Sequence, residues 1–211
     1  MRNVPVLRRP ARLVVVVGTG TEIGKTWVSA KLLQHARSQD RRVAARKPVQ
    51  SFDPDSSALT DAEQLAEASG ESAEVVCPPH RWYPVAMAPP MAADRLNRPP
   101  ILLDALLEEM QWPEGVDLGL IETAGGLRSP MAHDGDCRDL VRRIAPDEVL
   151  LVADAGLGTI NAVRLATEAL SFTKVTVLLN RFDATNELHG LNRQWLEIRD
   201  CLHVIVKPED F

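Results

Sequence analysis

The segment Gly18-Thr19-Gly20-Thr21-Glu22-Ile23-Gly24-Lys25-Thr26 follows directly on Leu13-Val14-Val15-Val16-Val17 and leads into a helix-patterned stretch. A β-branched run suits a pleated, buried strand. A Gly-rich turn ending in Gly-Lys-Thr then brings backbone N–H groups and an ammonium to a helix start, the arrangement that cradles phosphate. Five residues separate Gly18 from Gly24, one more than the usual spacing, so Thr19 stands where the first Gly is expected. On this reading the N–H groups of Glu22, Ile23, Gly24, Lys25, Thr26 and Trp27 surround a nucleotide's phosphates. Lys25 neutralises the β/γ oxygens, and the Thr26 hydroxyl holds Mg²⁺.

The rest of the chain alternates strand-like and helix-like segments. Apolar runs at 13–17, 42–46, 118–121, 149–153, 175–179 and 202–206 read as strands. Helical patterns fall at 26–39, 61–69, 101–110, 137–144, 160–170 and 188–199. Val149-Leu150-Leu151-Val152 is apolar on both faces, as a strand covered by helices on each side must be. The expected fold is therefore α/β: a P-loop NTPase-like, doubly wound, mainly parallel sheet, in one domain over residues 1–211. The proline-dense stretch 77–100, with Trp82, Tyr83 and Met87 interleaved, reads as a rigid, partly apolar loop. Either a wall for an apolar substrate or a plain crossover accounts for it.

A net charge of −5 leaves no electrostatic footprint for nucleic acid. Arg2, Arg8, Arg9 and Arg12 precede the first strand with no apolar signal core after them. No apolar stretch nears the ~20 residues that span a bilayer. Cys77, Cys137 and Cys201 form no paired motif, which argues against a zinc site or a disulfide framework. A cytoplasmic enzyme with no membrane partner is the expectation. Lysine is scarce, with Lys25, Lys31, Lys47, Lys174 and Lys207 standing against 19 arginines. Where Arg is the default cation, a retained Lys marks a place for a compact ammonium.

In an open α/β sheet, ligands gather beyond the carboxyl ends of the strands. The second strand ends in Arg46-Lys47-Pro48-Val49-Gln50-Ser51, placing Lys47 beside the phosphate loop, where a second ammonium can stabilise a transferring phosphoryl group. Asp61 follows a capping residue, Thr60, and Glu122 follows the strand 118–121. With Thr26 they could supply the protein's oxygens to Mg²⁺. The fourth strand ends in a second Gly-rich turn, Gly156-Leu157-Gly158-Thr159-Ile160-Asn161, whose helix N-terminus suits a carboxylate or phosphate. The fifth ends in Asn180-Arg181-Phe182-Asp183, where Asn180 and Arg181 are positioned for a nucleotide base. Asn-Arg-x-Asp also approximates a guanine-reading pattern, so the base stays open between adenine and guanine.

Taken in order, these segments resemble the dethiobiotin synthetases, the ATP-dependent carboxylases of biotin synthesis. That family's pattern runs Gly-Thr-Asp/Gly-Thr-x-Val/Ile-Gly-Lys-Thr, Lys-Pro-Val-x-Ser-Gly, Ser/Thr-Asp at a helix start, a Ser-Pro-His loop, Glu-Gly-Ala-Gly-Gly, Leu-Gly-x-Ile-Asn and a strand-end Asn. Residues 13–183 offer a counterpart to each. The resemblance implies ATP and Mg²⁺ as cofactors, with Lys25 and Lys47 catalytic and Thr26, Asp61 and Glu122 on the metal. It implies that Thr21 and Ser51 line the substrate and that Asn180 meets the base. It further implies a homodimer in which Gly158, Thr159, Ile160 and Asn161 receive the carboxylate of a diamino acid across the interface. The implied reaction captures CO₂ on 7,8-diaminopelargonate and closes a cyclic urea.

Several positions depart from the pattern. Phe52 follows Ser51 in place of Gly, Ala88-Pro89-Pro90 replaces Ser-Pro-His, Thr123 follows the acid, and the tail 204–211 lacks the adenine-capping form. A P-loop ligase or phosphotransferase for another small carboxylate or amine is the alternative, as is a nucleotide-switched regulatory ATPase.

Overall fold

The structure, a computed structural model, describes residues 9–211. Its elements alternate from the start: β1 (Arg12–Gly18), α1 (Lys25–Ser38), β2 (Val43–Arg46), β3 (Gln50–Ser51), α2 (Asp61–Ser69) and α3 (Ala73–Val76). Next come β4 (Trp82–Tyr83), α4 (Pro89–Arg95), α5 (Leu103–Glu109), β5 (Leu118–Glu122), β6 (Pro130–Ala132), β7 (Gly135–Asp136) and α6 (Cys137–Ile144). The chain closes with β8 (Glu148–Asp154), α7 (Thr159–Ala169), β9 (Val175–Asn180), α8 (Glu187–Ile198) and β10 (His203–Ile205).

Six strands form one sheet in the order β10-β9-β8-β1-β5-β2, every pairing parallel. β1 takes the middle because it is apolar on both faces, and Val14 to Val17 are wholly buried. Val15 and Val17 pack into the core on one side of the sheet, with Leu151, Leu179 and Leu140. Val14 and Val16 pack on the other side, with Val28, Leu32 and Leu65. This alternation is the two-residue period of a strand inserted between two helical layers. From β1 the chain first lays β2 and β5 on one side and then β8, β9 and β10 on the other, so the crevice beyond the end of β1 is the switch point where such folds bind ligands.

The strand expectations differ from the structure by a residue or two at their ends, and one difference bears on function. Glu122 is not beyond its strand but is the last residue of β5, wholly buried. The stretch 77–100 is more ordered than a loop. It contains a 3₁₀ turn (Pro79–Arg81), β4 paired with β3, and α4, whose first turn holds Pro89 and Pro90. Proline fits there because the first helical N–H groups have no partner inside the helix. Arg2 and Arg8 lie outside the described residues, while Arg9 pairs with Asp147 at 3.0 Å. Among the described residues no helix is long and apolar enough to cross a membrane, and all three cysteines are free.

Candidate active site

The phosphate loop joins β1 to α1 and is tied down on every side. Gly24 opens α1 at φ 90°, and a Cβ there would lie 2.2 Å from Asn180 Nδ2. Only glycine meets both demands. Asn180, at the end of β9, donates from Nδ2 to the Ile23 carbonyl at 2.8 Å, and Arg181 donates from Nη2 to the Glu22 carbonyl at 2.7 Å. From the other flank Leu127 donates its N–H to the Gly18 carbonyl at 2.8 Å. Lys25 Nζ reaches back to the Gly20 carbonyl at 3.2 Å. Asn180 and Arg181, for which the sequence suggests a base contact, also hold the loop. Asp183 folds into its own turn, accepting from Thr185 N and Oγ1. Trp27 is half-exposed on α1.

Beside the loop, the ends of β2 and β5 and the start of α2 bring two acids and one ammonium group together at Thr26. Lys47 Nζ lies 2.6 Å from Asp61 Oδ2, 2.8 Å from Glu122 Oε1 and 3.3 Å from the Thr123 carbonyl, so its three protons all have acceptors. Thr26 Oγ1 lies 2.7 Å from Asp61 Oδ1 and 2.9 Å from Glu122 Oε1. Asp61 is placed by a reciprocal cap at the start of α2: Thr60 Oγ1 accepts from Glu63 N, and Glu63 Oε2 accepts from Thr60 N. Gln50 adds a clamp, accepting the Ala62 N–H on its side-chain oxygen at 3.0 Å.

The charges set one another. Burial pushes the Lys25 ammonium down, and repulsion from Lys47 pushes it further the same way. Burial would also lower Lys47, but Asp61 and Glu122 outweigh it and hold that ammonium raised. For Asp61 burial works upward, and Lys47, with help from Thr26, brings the carboxyl below its ordinary value.

The oxygen set suits a hard divalent cation. Thr26 has one hydroxyl proton for two carboxylate oxygens within 2.9 Å, so one of those contacts brings two lone-pair-bearing oxygens face to face. Glu122 Oε2 is buried and has no hydrogen-bond partner among the described residues. Both features are relieved by a cation. Among the described residues no group of three His, Cys, Asp or Glu assembles, so a metal here would draw its remaining ligands from phosphate and water.

Residues 12–192 match a family described as an AAA domain. Over 159 residues the chain is 40% identical to the ATP-dependent dethiobiotin synthetase BioD of Caulobacter vibrioides, covering 74% of this chain and 72% of that one. Over 207 residues it is 37% identical to the protein of the same name from Haloferax mediterranei, covering 92% of this chain and 86% of that one. The chain belongs to the dethiobiotin synthetase family. In fold it is also similar to a plasmid partition protein from Borrelia burgdorferi, at a TM-score of 0.56 and 14% identity over 96% of this chain and 93% of that one.

The departures from the dethiobiotin synthetase pattern have visible structural roles. Phe52 packs edge-on against Trp82, ring centroids 6.3 Å apart, and its N–H bonds the Tyr83 carbonyl. Thr123 is buried and donates from Oγ1 to the Val16 carbonyl, locking β5 to β1. Ser51 donates its hydroxyl to the Met87 carbonyl at 2.6 Å, tying β3 to the proline-dense stretch. At the start of α7, Gly158 stands at φ 91°, and among the described residues nothing lies within 4 Å of a would-be Cβ there and the buried Thr159 Oγ1 has no hydrogen-bond partner. Ile160 packs on the core and Asn161 is exposed.

A cleft of about 560 Å³ runs beside the phosphate loop, bounded by Gly20, Thr21, Leu127, Arg128, Asn161 and Leu165 among others. Thr21 and Asn161, singled out separately in the sequence, meet in it. Sequence reasoning passed over Gln50. Thr60-x-x-Glu63 was the one legible signal for the clamp on Asp61.

Proposed function

We propose that this protein is an ATP-dependent cyclo-ligase that carboxylates 7,8-diaminopelargonate with CO₂ to give dethiobiotin, working as one P-loop α/β domain. The observation that carries the reading is Lys47 at 2.6 and 2.8 Å from Asp61 and Glu122, on the same cluster as Thr26 of the phosphate loop. Two scarce lysines thereby reach one phosphoryl-transfer centre, and family membership supplies the substrate. Thr26, Asp61 and Glu122 would hold Mg²⁺, which when bound offsets charge on the β- and γ-phosphates.

The reaction begins when one substrate amine adds to CO₂ and loses a proton, giving a carbamate. A carbamate oxygen takes the γ-phosphoryl group and ADP leaves. The second amine then attacks the carbonyl carbon, inorganic phosphate departs, a proton is released and the urea ring closes. Lys25 and the loop N–H groups hold the triphosphate, and Lys47 sits where it can screen the carbamate from the γ-phosphate. Bringing two anions in line is the main barrier, and fixed cations lower it. Thr21 and Ser51 border the acceptor. The turn Gly158-Thr159-Ile160-Asn161 offers helix N–H groups and an unpartnered hydroxyl to the substrate's carboxylate.

A homodimer fits the surface beside that turn, where Leu157 is 92% and Leu165 62% exposed. The chemistry fits a cytoplasmic setting. The test is incubation of the purified protein with ATP, Mg²⁺, bicarbonate and diaminopelargonate. Cyclic urea formed with stoichiometric ADP supports the proposal, and ATP turnover without that product refutes it.

A further inference from the structure

Lys47 has no proton to spare. Its buried Nζ lies 2.6 Å from Asp61 Oδ2, 2.8 Å from Glu122 Oε1 and 3.3 Å from the Thr123 carbonyl. An ammonium has three donors and no acceptor, so this set uses all of them. A carbamate arriving at the cluster therefore meets a lysine that is already fully engaged. The backbone offers no slack, because the Lys47 N–H bonds the Val76 carbonyl at 2.8 Å and Pro48 follows directly. Only the four-carbon stem can move, and such stems are flexible.

The partners of Lys47 are the same two acids that suit a divalent cation. Thr26 Oγ1 lies 2.7 Å from Asp61 Oδ1 and 2.9 Å from Glu122 Oε1. Glu122 Oε1 thus faces the ammonium and the hydroxyl together, which accounts for both its lone pairs. Asp61 divides its two oxygens between the same two groups. A metal that joins Thr26 to both acids draws on oxygens that the ammonium already holds. Two cations crowded onto those oxygens repel one another at short range. Lys25 is placed differently: its Nζ turns to the Gly20 carbonyl at 3.2 Å and, among the described residues, pairs with neither acid.

We propose that Lys47 is a tethered cation that competes with the divalent metal for Asp61 and Glu122, so that its ammonium is free to meet the carbamate only when the metal holds those acids. Lys47 keeps the two carboxylates compensated and in place, and its release ties the acceptor end of the site to metal loading. This rests on the reading above, in which Thr26, Asp61 and Glu122 hold Mg²⁺ and Lys47 faces the carbamate.

The test uses Mn²⁺ as the probe on the whole chain, without nucleotide or substrate, with free Mn²⁺ read by electron paramagnetic resonance. Lys47→Met should bind Mn²⁺ at least about tenfold more tightly than the wild type, the ratio expected where a competitor holds the acids about nine-tenths of the time. Lys25→Met should stay near the wild-type affinity, which separates competition at the acids from the loss of a nearby positive charge. A wild-type measurement guards against a variant that fails to fold. Acetic anhydride, followed by peptide mass spectrometry, should label Lys47 several-fold faster at saturating Mn²⁺ than without it. Lys174, with a side chain 68% exposed, should be labelled at one rate throughout. Equal Mn²⁺ affinity in the wild type and Lys47→Met, or Lys47 labelling that bound Mn²⁺ leaves unchanged, overturns the competition alone. Mn²⁺ bound by neither protein, with or without ATP, overturns the metal reading and this inference together. The measurement needs no substrate, so its failure is separate from a failure of the cyclo-ligase assay.

Discussion

Lys47 is 1% exposed and Glu122 wholly buried, so each depends on the other. Replacing Lys47 by Ala leaves a buried carboxylate uncompensated and should destabilise the fold by about 3–5 kcal/mol. The turnover lost in Lys47→Ala therefore comes with a lower melting temperature, and adding Glu122→Gln should restore much of the stability but none of the activity. Calorimetry on the four members of that cycle measures the coupling; additive effects would mean the pair is not energetically linked. Lys25 behaves oppositely. Burial and Lys47 lower its pKa, so its charge opposes folding at neutral pH until polyphosphate arrives. Lys25→Met should raise the melting temperature of the nucleotide-free protein by roughly 2–4 °C, about 1 kcal/mol, and abolish binding of ATP. Both lysines were legible in the sequence because lysine is rare and each follows a strand. Gln50 was not, since a strand glutamine carries no signal until the Ala62 N–H stands 3.0 Å from its side-chain oxygen. Asn180 carries a second role that the sequence does not show: a strand-end amide can serve a neighbouring loop as well as a ligand, and the 2.8 Å contact to Ile23 is that added role.

At the scale of elements, two glycines in the same backbone region should respond differently to Ala. Gly24 (φ 90°) has Asn180 2.2 Å from a would-be Cβ, whereas Gly158 (φ 91°) has nothing among the described residues within 4 Å. Gly158→Ala should cost only the left-handed backbone penalty, about 1–2 kcal/mol. Gly24→Ala adds a clash that displaces Asn180 and should remove nucleotide binding, as read by fluorescent-nucleotide titration. Equal losses in the two variants would show that the tie between β9 and the loop is dispensable. The helices were readable because their punctuation is local. Thr60 before Asp61 and Asp136 before Cys137 both close capping boxes. The short ladders β3–β4 and β6–β7 were not, because two- or three-residue strands have no period of their own and exist only through their partners.

For the molecule as a whole, burial alone would raise the carboxyls of Asp61, Glu109 and Glu148. Lys47 for the first, Arg81 for the second, and Thr176 with Arg12 for the third bring all three below their ordinary values. Folded pKa values below the unfolded ones mean that the native state binds fewer protons. Their contribution is present above the unfolded values, about pH 4, and disappears as pH falls through the lowered folded ones. Denaturant midpoints should therefore be level near neutrality and fall steeply below about pH 4. A midpoint that declines already between pH 7 and 5 would implicate histidines instead. Strand identity could be read from apolar runs, but strand order could not, because it records pairings between segments far apart in the chain.

The place of β1 in the sheet sets the timing of assembly. Val15 lies against Ile121 on one side and Val149 on the other, both more than a hundred residues downstream. During synthesis β1 has neither neighbour until β5 emerges, and lacks its second until β8 follows. The phosphate loop waits longer still, since its tie to Asn180 comes with β9. Everything from β1 through β9 must be translated before the nascent chain can grip a nucleotide, and until then β1, apolar on both faces, needs shelter.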